Sequence, residues 1–341
     1  MVTFARPEDL MTLTEDQRLE SSILFLAEHA PLLDTPAPGL GAGGFFVGYH
    51  HRLFQALCAL GLAVTPCRDL DQLLSVAPRH DYVFTVYNRV WTRRMRNSMV
   101  FVSSVCDYLH VPYLGAPPNV RALAEDKYMT KALASSVGIP VLPGKVFHDL
   151  GDLDRAPDFD GPYFVKPRFG AASENIGTDS LQHTWPGARA KVRELLALGL
   201  EALVERGVVG TDITVPVVGG RGPLLFPPIA RPSGLEHGIT TYEQKMFLSR
   251  PQQFLEDASL QEELGQYALR LGEEARPFDY FRADFRRDDA TGEVFLLEFN
   301  VACVLDEARE FGVAGRRLGI SFPALLGHII AYSLARQRAP R

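Results

Sequence analysis

The sequence predicts a mixed α/β chain in three parts, a front built on a parallel sheet and two α+β parts behind it. Strand-like apolar runs alternate with helical patterns through the first third, which implies a parallel sheet with helices on its faces. Beyond Gly138 and Pro140 the pattern changes to short hairpin-like pieces separated by single helices. The length of 341 residues matches two to three domains at ~150 residues each. The expected divisions are 1–118, 119–205 and 206–341.

Residues 1–20 are polar and are expected to form a loose arm or a short helix. SSILFLA (21–27) reads as a buried strand, followed by a Pro/Gly-rich loop at 31–44. FFVGYHHRLFQALCALG (45–61) has the apolar spacing of a helix that ends at Gly61. LAVTPC and HDYVFTVYN (80–88) read as strands, and RNSMVFVSSVCDYLH as a helix before VPYLG. VRALAEDKYMTKALASSVGIP is predicted as one helix that stops at Gly138 and Pro140. KVFHDL, GPYFVKPRFG and EALVERGVVG follow as strands, with a helix around 188–200. DITVPVVGG and PLLFPPIA precede a helix at 260–275. FDYFRADFRRDDATGEVFLLEFN then reads as a hairpin turning at 288–292, and PALLGHIIAYSLARQ as a closing helix.

Apolar residues make up 46% of the chain and charged residues 22%, ordinary globular usage that excludes disorder and coiled coil. The net charge of −6 lacks the basic excess of a nucleic-acid binder. Cys58, Cys67, Cys106 and Cys303 form no C-x-x-C pair, which argues against a zinc ribbon. The first twenty residues carry Glu8, Asp9, Glu15, Asp16 and Glu20 and no apolar h-region. No apolar run reaches the ~20 residues of a membrane span. The expectation is a soluble cytoplasmic protein without nucleic-acid or membrane partners. Gly39, Gly41 and Gly44 satisfy G-x-G-x-x-G, but they stand a dozen residues from the nearest strand and fit a substrate loop better than a dinucleotide site.

Three constellations in the rear parts carry chemistry. Glu298 and Asn300 lie two apart on one strand of the predicted hairpin and share a face, and Asp284 joins them from the neighbouring strand. Two carboxylates and an amide oxygen suit Mg²⁺ beside phosphates. A merely solvated polar face conflicts with VFLLEFN, which is otherwise apolar and reads as buried, and a buried carboxylate needs a partner or a metal. Arg282 alternates onto the same face. The second constellation is lysine: the chain has six Lys against 29 Arg, yet Lys127, Lys166 and Lys245 stand in EDKYMTK, PYFVKPRFGAASENIG and TYEQKMF. A compact ammonium suits phosphate contacts that shift during reaction, while a lone surface lysine is the ordinary alternative for any one of them. Third, in ALVERGVVGTDITV, Glu205 ends a strand and Asp212 follows a Gly-flanked bend, an arrangement fit for a flat base and ribose hydroxyls.

Taken in order, these pieces resemble the ATP-grasp superfamily, and within it the D-alanine–D-alanine ligase group, over residues 113–333. The resemblance implies an N-terminal parallel α/β sheet, a central α+β ATP lid and a C-terminal α+β catalytic domain. It implies Lys127 and Lys166 on the α/β-phosphates of ATP, with Ser173 in the loop that covers them. The backbone of Arg206 to Val208 would hold adenine with Glu205 on its amino group, Asp212 would hold the ribose, and Lys245 the γ-phosphate. Asp284, Glu298 and Asn300 would hold two Mg²⁺ (Mn²⁺ as a substitute), and Arg282 would stabilise a tetrahedral oxyanion. The implied reaction is an ATP-dependent ligation of an amino-acid-like carboxylate to an amine, through an acyl phosphate, with release of ADP and phosphate. A homodimer is a family-level expectation.

Four departures touch the amino-acid pockets and none touches the ATP site. Cys303 and Val304 replace the family's Pro-Gly step. Arg309, with Glu310 beside it, replaces the serine for the substrate carboxylate. Phe45-Phe46-Val47-Gly48 replaces the glutamate-bearing loop, and Met246 replaces the tyrosine after the γ-phosphate lysine. Arg93, Arg94 and Arg96 stand where the family is acidic and Gly-rich, suited either to a substrate anion or to a solvated helix start. His50 and His51 are expected to begin a helix. The departures favour specialised metabolism over D-Ala-D-Ala synthesis. A phosphotransferase acting on a hydroxyl and an intramolecular, ring-closing ligase are the alternatives.

Overall fold

The computed structural model describes residues 2–31, 44–87, 90–91, 99–170, 173–231 and 252–338. The front part opens with α1 (Glu15–Glu20) and β1 (Ser22–Leu26), then α2 (Gly44–Ala59), β2 (Ala63–Cys67), α3 (Leu70–Val76) and β3 (Tyr82–Thr85). β1 is the middle strand of a parallel sheet ordered β2-β1-β3. Its residues Ile23, Leu24, Phe25 and Leu26 are fully buried, as expected of a central strand covered on both faces. The polar arm is anchored rather than loose: the Thr14 hydroxyl caps α1 by accepting from Gln17 N, and Met11 N donates to His328 Nδ1 at 2.8 Å.

β4 (Val90–Trp91) and β5 (Met99–Val100) form a two-stranded pair, so the following helix, α4 (Val102–Leu109), starts later than its sequence pattern indicates. The long helix predicted across EDKYMTK is two helices, α5 (Pro118–Glu125) and α6 (Lys127–Ser136). Asp126 leaves the helical region (φ −94, ψ 98) to cap α6, accepting from Tyr128 N and Met129 N. An Asp side chain offers that alternative to helical continuation.

β6 (Gly144–Phe147), β7 (Tyr163–Pro167), β8 (Leu181–Gln182), α7 (Trp185–Ala197) and β9 (Ala202–Arg206) make a four-stranded antiparallel sheet ordered β6-β9-β7-β8, backed by α7 through Val192 and Leu195. The large sheet follows: β10 (Gly210–Val218), β11 (Leu224–Leu225), β12 (Ile229–Arg231), β13 (Gln253–Phe254), then α8 (Ala258–Glu274), β14 (Tyr280–Asp288) and β15 (Val294–Asn300). Its strands run antiparallel in the order β13-β12-β10-β14-β15, with β11 beside β10. The predicted hairpin is present, closed by Gly292 at φ 75, a left-handed conformation glycine adopts freely. Gly210 is required by closeness: a Cβ there would lie 1.8 Å from the Arg287 carbonyl oxygen.

One face of the large sheet is apolar. Ile213, Val215, Val217, Phe281, Ala283, Phe285, Leu296 and Phe299 pack with Leu264, Ala268 and Leu271 of α8, and with Val120 and Ala134 of α5 and α6. With that face sealed, alternation sends every second residue of β10 and β14 to the other side. The chain ends with α9 (Glu310–Arg317) and α10 (Phe322–Arg338). Leu325 and Ile329 of α10 share one core with Phe25 of β1 and Leu53 and Leu57 of α2.

Candidate active site

The open face of the large sheet collects the polar residues. Asp212, Thr214 and Pro216 of β10 lie opposite Arg286, Asp284 and Arg282 of β14, and Arg282, Asp284 lie opposite Asn300, Glu298 of β15. A β-bulge makes the last pairing possible. Phe285 pairs with Leu296 and Asp284 with Glu298, so Leu297 is an extra residue. Without it, Glu298 would follow Leu296 into the core; with it, Glu298 and Asn300 turn to the polar face, a common use of bulges beside active sites.

Asp284 is fully engaged. Its Oδ1 accepts from Arg282 Nε at 2.9 Å and from the Thr214 hydroxyl at 2.9 Å. Its Oδ2 accepts from Arg282 Nη2 at 2.8 Å and from Asn300 Nδ2 at 3.1 Å. Because the Asn300 amide nitrogen is directed at Asp284, its amide oxygen is the atom left for a cation, and the set Asp284, Glu298, Asn300 is oxygen-only. That donor chemistry fits Mg²⁺, which would take over lone pairs now held by Arg282, Thr214 or Asn300.

The lysines converge from two elements. Lys166, on β7, pairs through Nζ with Glu205 Oε2 at 2.6 Å. Lys131, on α6, pairs with Glu205 Oε1. All three are buried, Glu205 at 2% exposure. Burial works to raise the Glu205 carboxyl, but the two ammoniums beside it hold it below the usual carboxylate range. Burial, with Lys166 adding to it, lowers Lys131 to about 8 against the pull of Glu205. Lys127 begins α6 and donates from Nζ to the Gly170 carbonyl. Its placement follows from Asp126, which caps α6, bridges to Phe169 and accepts from Arg168 Nη2 at 2.6 Å. Arg168 also reaches Glu201 at 2.9 Å. This lattice holds Lys127 next to the loop that leaves β7, in which Ser173 is buried at φ 60.

Between the two sheets, Arg206 lies over the Phe295 ring at 5.9 Å. The Val208 carbonyl accepts from Arg286 Nη1 at 3.2 Å, and Asp212 Oδ1 accepts from Arg286 Nη2 at 2.6 Å. Beyond Asn300, Glu310 is buried and paired with Arg231 and with Arg282 Nη1 at 3.5 Å. Burial would raise its carboxyl, but Arg282, Arg231 and Arg309 bring it down to about 2. Arg309 stacks on Phe45 at 4.7 Å, and Arg52 of α2 donates to Asp306 at 2.6 Å. These contacts fix the start of α2 against the loop that follows Asn300. Tyr49 and His50 lie in the same aromatic row as Phe45 and Phe46. His50 is lowered to about 4 by burial and by His29 and His51, so it is neutral near pH 7. A cavity of about 20 Å³ lies alongside, lined by Thr85, Tyr87, Ser103, Arg121, Tyr280 and Ala302 among others. The Ser103 hydroxyl has no partner among the described residues.

The sequence-predicted residues thus form two groups in the structure: Asp284, Glu298, Asn300, Arg282, Glu310 on and beside one sheet face, and Lys127, Lys166, Glu205 on and beside the two inner strands of the other sheet. Lys245, Arg94 and Arg96 lie outside the described residues. Sequence reasoning missed Lys131, Arg286 and Arg231. The first is one helical turn from Lys127, and the second continues the Arg282, Asp284 alternation, so both left a signal. Arg231 ends a three-residue strand and left none.

The family described as D-ala D-ala ligase C-terminus matches residues 133–331. The chain is 30% identical over 293 residues to a D-alanine–D-alanine ligase of Oleidesulfovibrio alaskensis, covering 83% of this chain and 90% of that one. It is 26% identical to a ligase of the same description from Gluconobacter oxydans, over 69% and 76% of the two chains. The fold is similar to the crystal structure of D-alanine–D-alanine ligase from Bacillus anthracis complexed with ATP, with a TM-score of 0.70, 17% identity, and coverage of 93% and 99%.

Proposed function

The chain belongs to the D-alanine–D-alanine ligase family of ATP-dependent carbon–nitrogen ligases, and from that premise we propose that it joins an amino-acid-like carboxylate to an amine in specialised metabolism, on substrates other than two D-alanines. The observation that carries this reading is the contrast between the two ends of one site. The nucleotide end retains Lys127, Lys166, Glu205 and Asp212, the residue types the reading assigns to ATP. At the substrate end, Arg309 stacks on Phe45 and Arg231 shares the buried Glu310 with Arg282, where a pocket for D-alanine would need a hydroxyl and a carboxylate.

In the proposed reaction the substrate carboxylate oxygen attacks the γ-phosphorus of ATP and ADP leaves. The amine then attacks the acyl carbon, and phosphate departs carrying the former carboxylate oxygen. Lys127 and Lys166 hold the α/β-phosphates, with Lys245 assigned to the γ-phosphate, so that positive charge meets the transferring group. Asp284, Glu298 and Asn300 would hold Mg²⁺, which would supply charge neutralisation of the phosphates. Arg282 is assigned to the negative charge that develops on the oxygen of the acyl carbon as the amine adds. Burial works to lower its pKa, but Asp284 and Glu310 raise it well above the ordinary value, so it acts only as a fixed cation. Glu310 contributes by orienting arginines rather than by touching substrate. A simple phosphotransferase has no use for a cation at a tetrahedral carbon, which favours the ligase.

The test is ADP release from Mg-ATP across a panel of carboxylic and amino acids with hydroxylamine present and products read by mass spectrometry. Hydroxamate together with ADP supports the ligase and names the carboxylate. A stable phosphorylated hydroxyl compound and no hydroxamate would establish the phosphotransferase instead.

A further inference from the structure

Glu205 has one carboxylate and two lysines, Lys131 on Oε1 and Lys166 on Oε2. The triad is buried and carries one positive charge more than it balances. An adenine amino group would approach Oε atoms that lysines already hold, and the α/β-phosphates would approach a Lys166 ammonium that Glu205 already holds, so each job competes with the pair seen. We propose that Lys131 is the permanent counter-ion of Glu205 and Lys166 its temporary one: when nucleotide binds, Lys166 passes from Glu205 to the phosphates and the adenine amino group takes its place on Oε2. The inference rests on the nucleotide site described under Proposed function.

Charge arithmetic supports the exchange. With the triphosphate in place, the ammonium of Lys166 is met by phosphate, and Lys131 with Glu205 is left as a neutral pair. Without Lys131, departure of Lys166 would strand a buried carboxylate, an expensive state. A base that arrives without phosphates must take Oε2 from Lys166 and leave a buried ammonium unpaired. Base recognition and phosphate capture are therefore coupled, and the free-energy coupling is reciprocal. Lys131 is a positioning residue, acting on the nucleotide through Glu205. Glu298 is the other carboxylate whose charge acts on Lys131, so the exchange also adjoins the proposed metal set.

The coupling predicts effects of opposite sign, which a purely structural role does not. Adenosine, AMP-PNP with Mg²⁺, and inorganic tripolyphosphate are titrated calorimetrically into the full chain and its variants. Lys166→Met should bind adenosine about fivefold more tightly than the unaltered chain, and AMP-PNP about tenfold more weakly, a tenfold change being 1.4 kcal/mol. Lys131→Met, which strands Glu205 once Lys166 leaves it, should weaken adenosine, AMP-PNP and tripolyphosphate by about tenfold each, with Lys131→Arg restoring all three. The proposal is overturned if Lys166→Met binds adenosine no better than the unaltered chain, or if Lys131→Met leaves tripolyphosphate binding within about twofold of the unaltered chain. Should Lys131→Met not fold, the adenosine response of Lys166→Met decides alone. Failure of the unaltered chain to bind AMP-PNP would reject the nucleotide site itself, an outcome distinct from failure of the exchange.

Discussion

Glu298 and Glu310 are carboxylates in one site with different duties, and their surroundings separate them. Glu298 shares a register position with Asp284 on the polar face and is assigned to a cation. Its replacement in Glu298→Gln keeps size and hydrogen bonding, so we expect ADP release to fall at least about a thousandfold, in line with removal of a transition-state charge contact. The melting temperature should stay within about 3 °C; near-normal turnover would remove Glu298 from the metal set. Glu310 is held by arginines and has its carboxyl lowered from 4.5 to about 2. A depressed folded value contributes stability that is fully present above the unfolded value and is lost as pH falls from about 4.5 towards 2, on the order of 3 kcal/mol. The stability gap between the unaltered chain and Glu310→Gln should therefore be widest above pH 5 and close towards pH 2. Urea denaturation at a series of pH values measures this, and a gap independent of pH would contradict the assignment. Arg282, Asp284, Glu298 and Asn300 could be read from sequence because polar residues at two-residue spacing stand out in apolar strands. Lys131 could not be weighed that way, since its partner lies 74 residues away.

The elements that place these residues depend on two local irregularities. The bulge at Leu297 changes the phase of β15, and the break at Asp126 divides a helical pattern in two. Both override periodicity. The adjacent leucines of VFLLEFN hinted at the first, and an Asp next to a Lys in an otherwise helical run hinted at the second, but the Arg168 partner that joins the cap in turning Asp126 aside left no signal. Asp126 both caps α6 and binds Arg168, and two variants separate the roles. Asp126→Asn keeps a capping side chain and loses the charge pair, whereas Asp126→Ala loses both. We expect Ala to be less stable than Asn by about 1 kcal/mol in chemical denaturation, with both weakening AMP-PNP binding because Lys127 and the loop after β7 lose their anchor. Equal stability of the two variants would show that the cap contributes nothing.

At the scale of the whole molecule, the candidate site draws on the four-stranded sheet, the large sheet and the start of α2. The α/β front and the antiparallel rear were legible from the switch in pattern near Gly138, because hydrophobic periodicity reports burial directly. What the pattern could not report is how the parts are tied together. The packing of α10 on β1 and α2, the Asp279 carboxylate joined to Arg336 at 3.0 Å and to Gly115 N at 2.7 Å, and His328 between Met11 N and the Gly219 carbonyl all join residues more than 50 apart in sequence. These ties bring the aromatic start of α2 to Arg309 beyond Asn300, at the end of the site proposed for the substrate. In the proposed reaction a carboxylate is activated as an acyl phosphate before the amine attacks, and that order leaves an isotopic trace. The order is tested most directly by supplying the carboxylate substrate with ¹⁸O in both oxygens and following the label by mass spectrometry of the phosphate released. One ¹⁸O per turnover in inorganic phosphate, and none in ADP, is the predicted result. Amide formation with unlabelled phosphate, or label appearing in AMP, would contradict it.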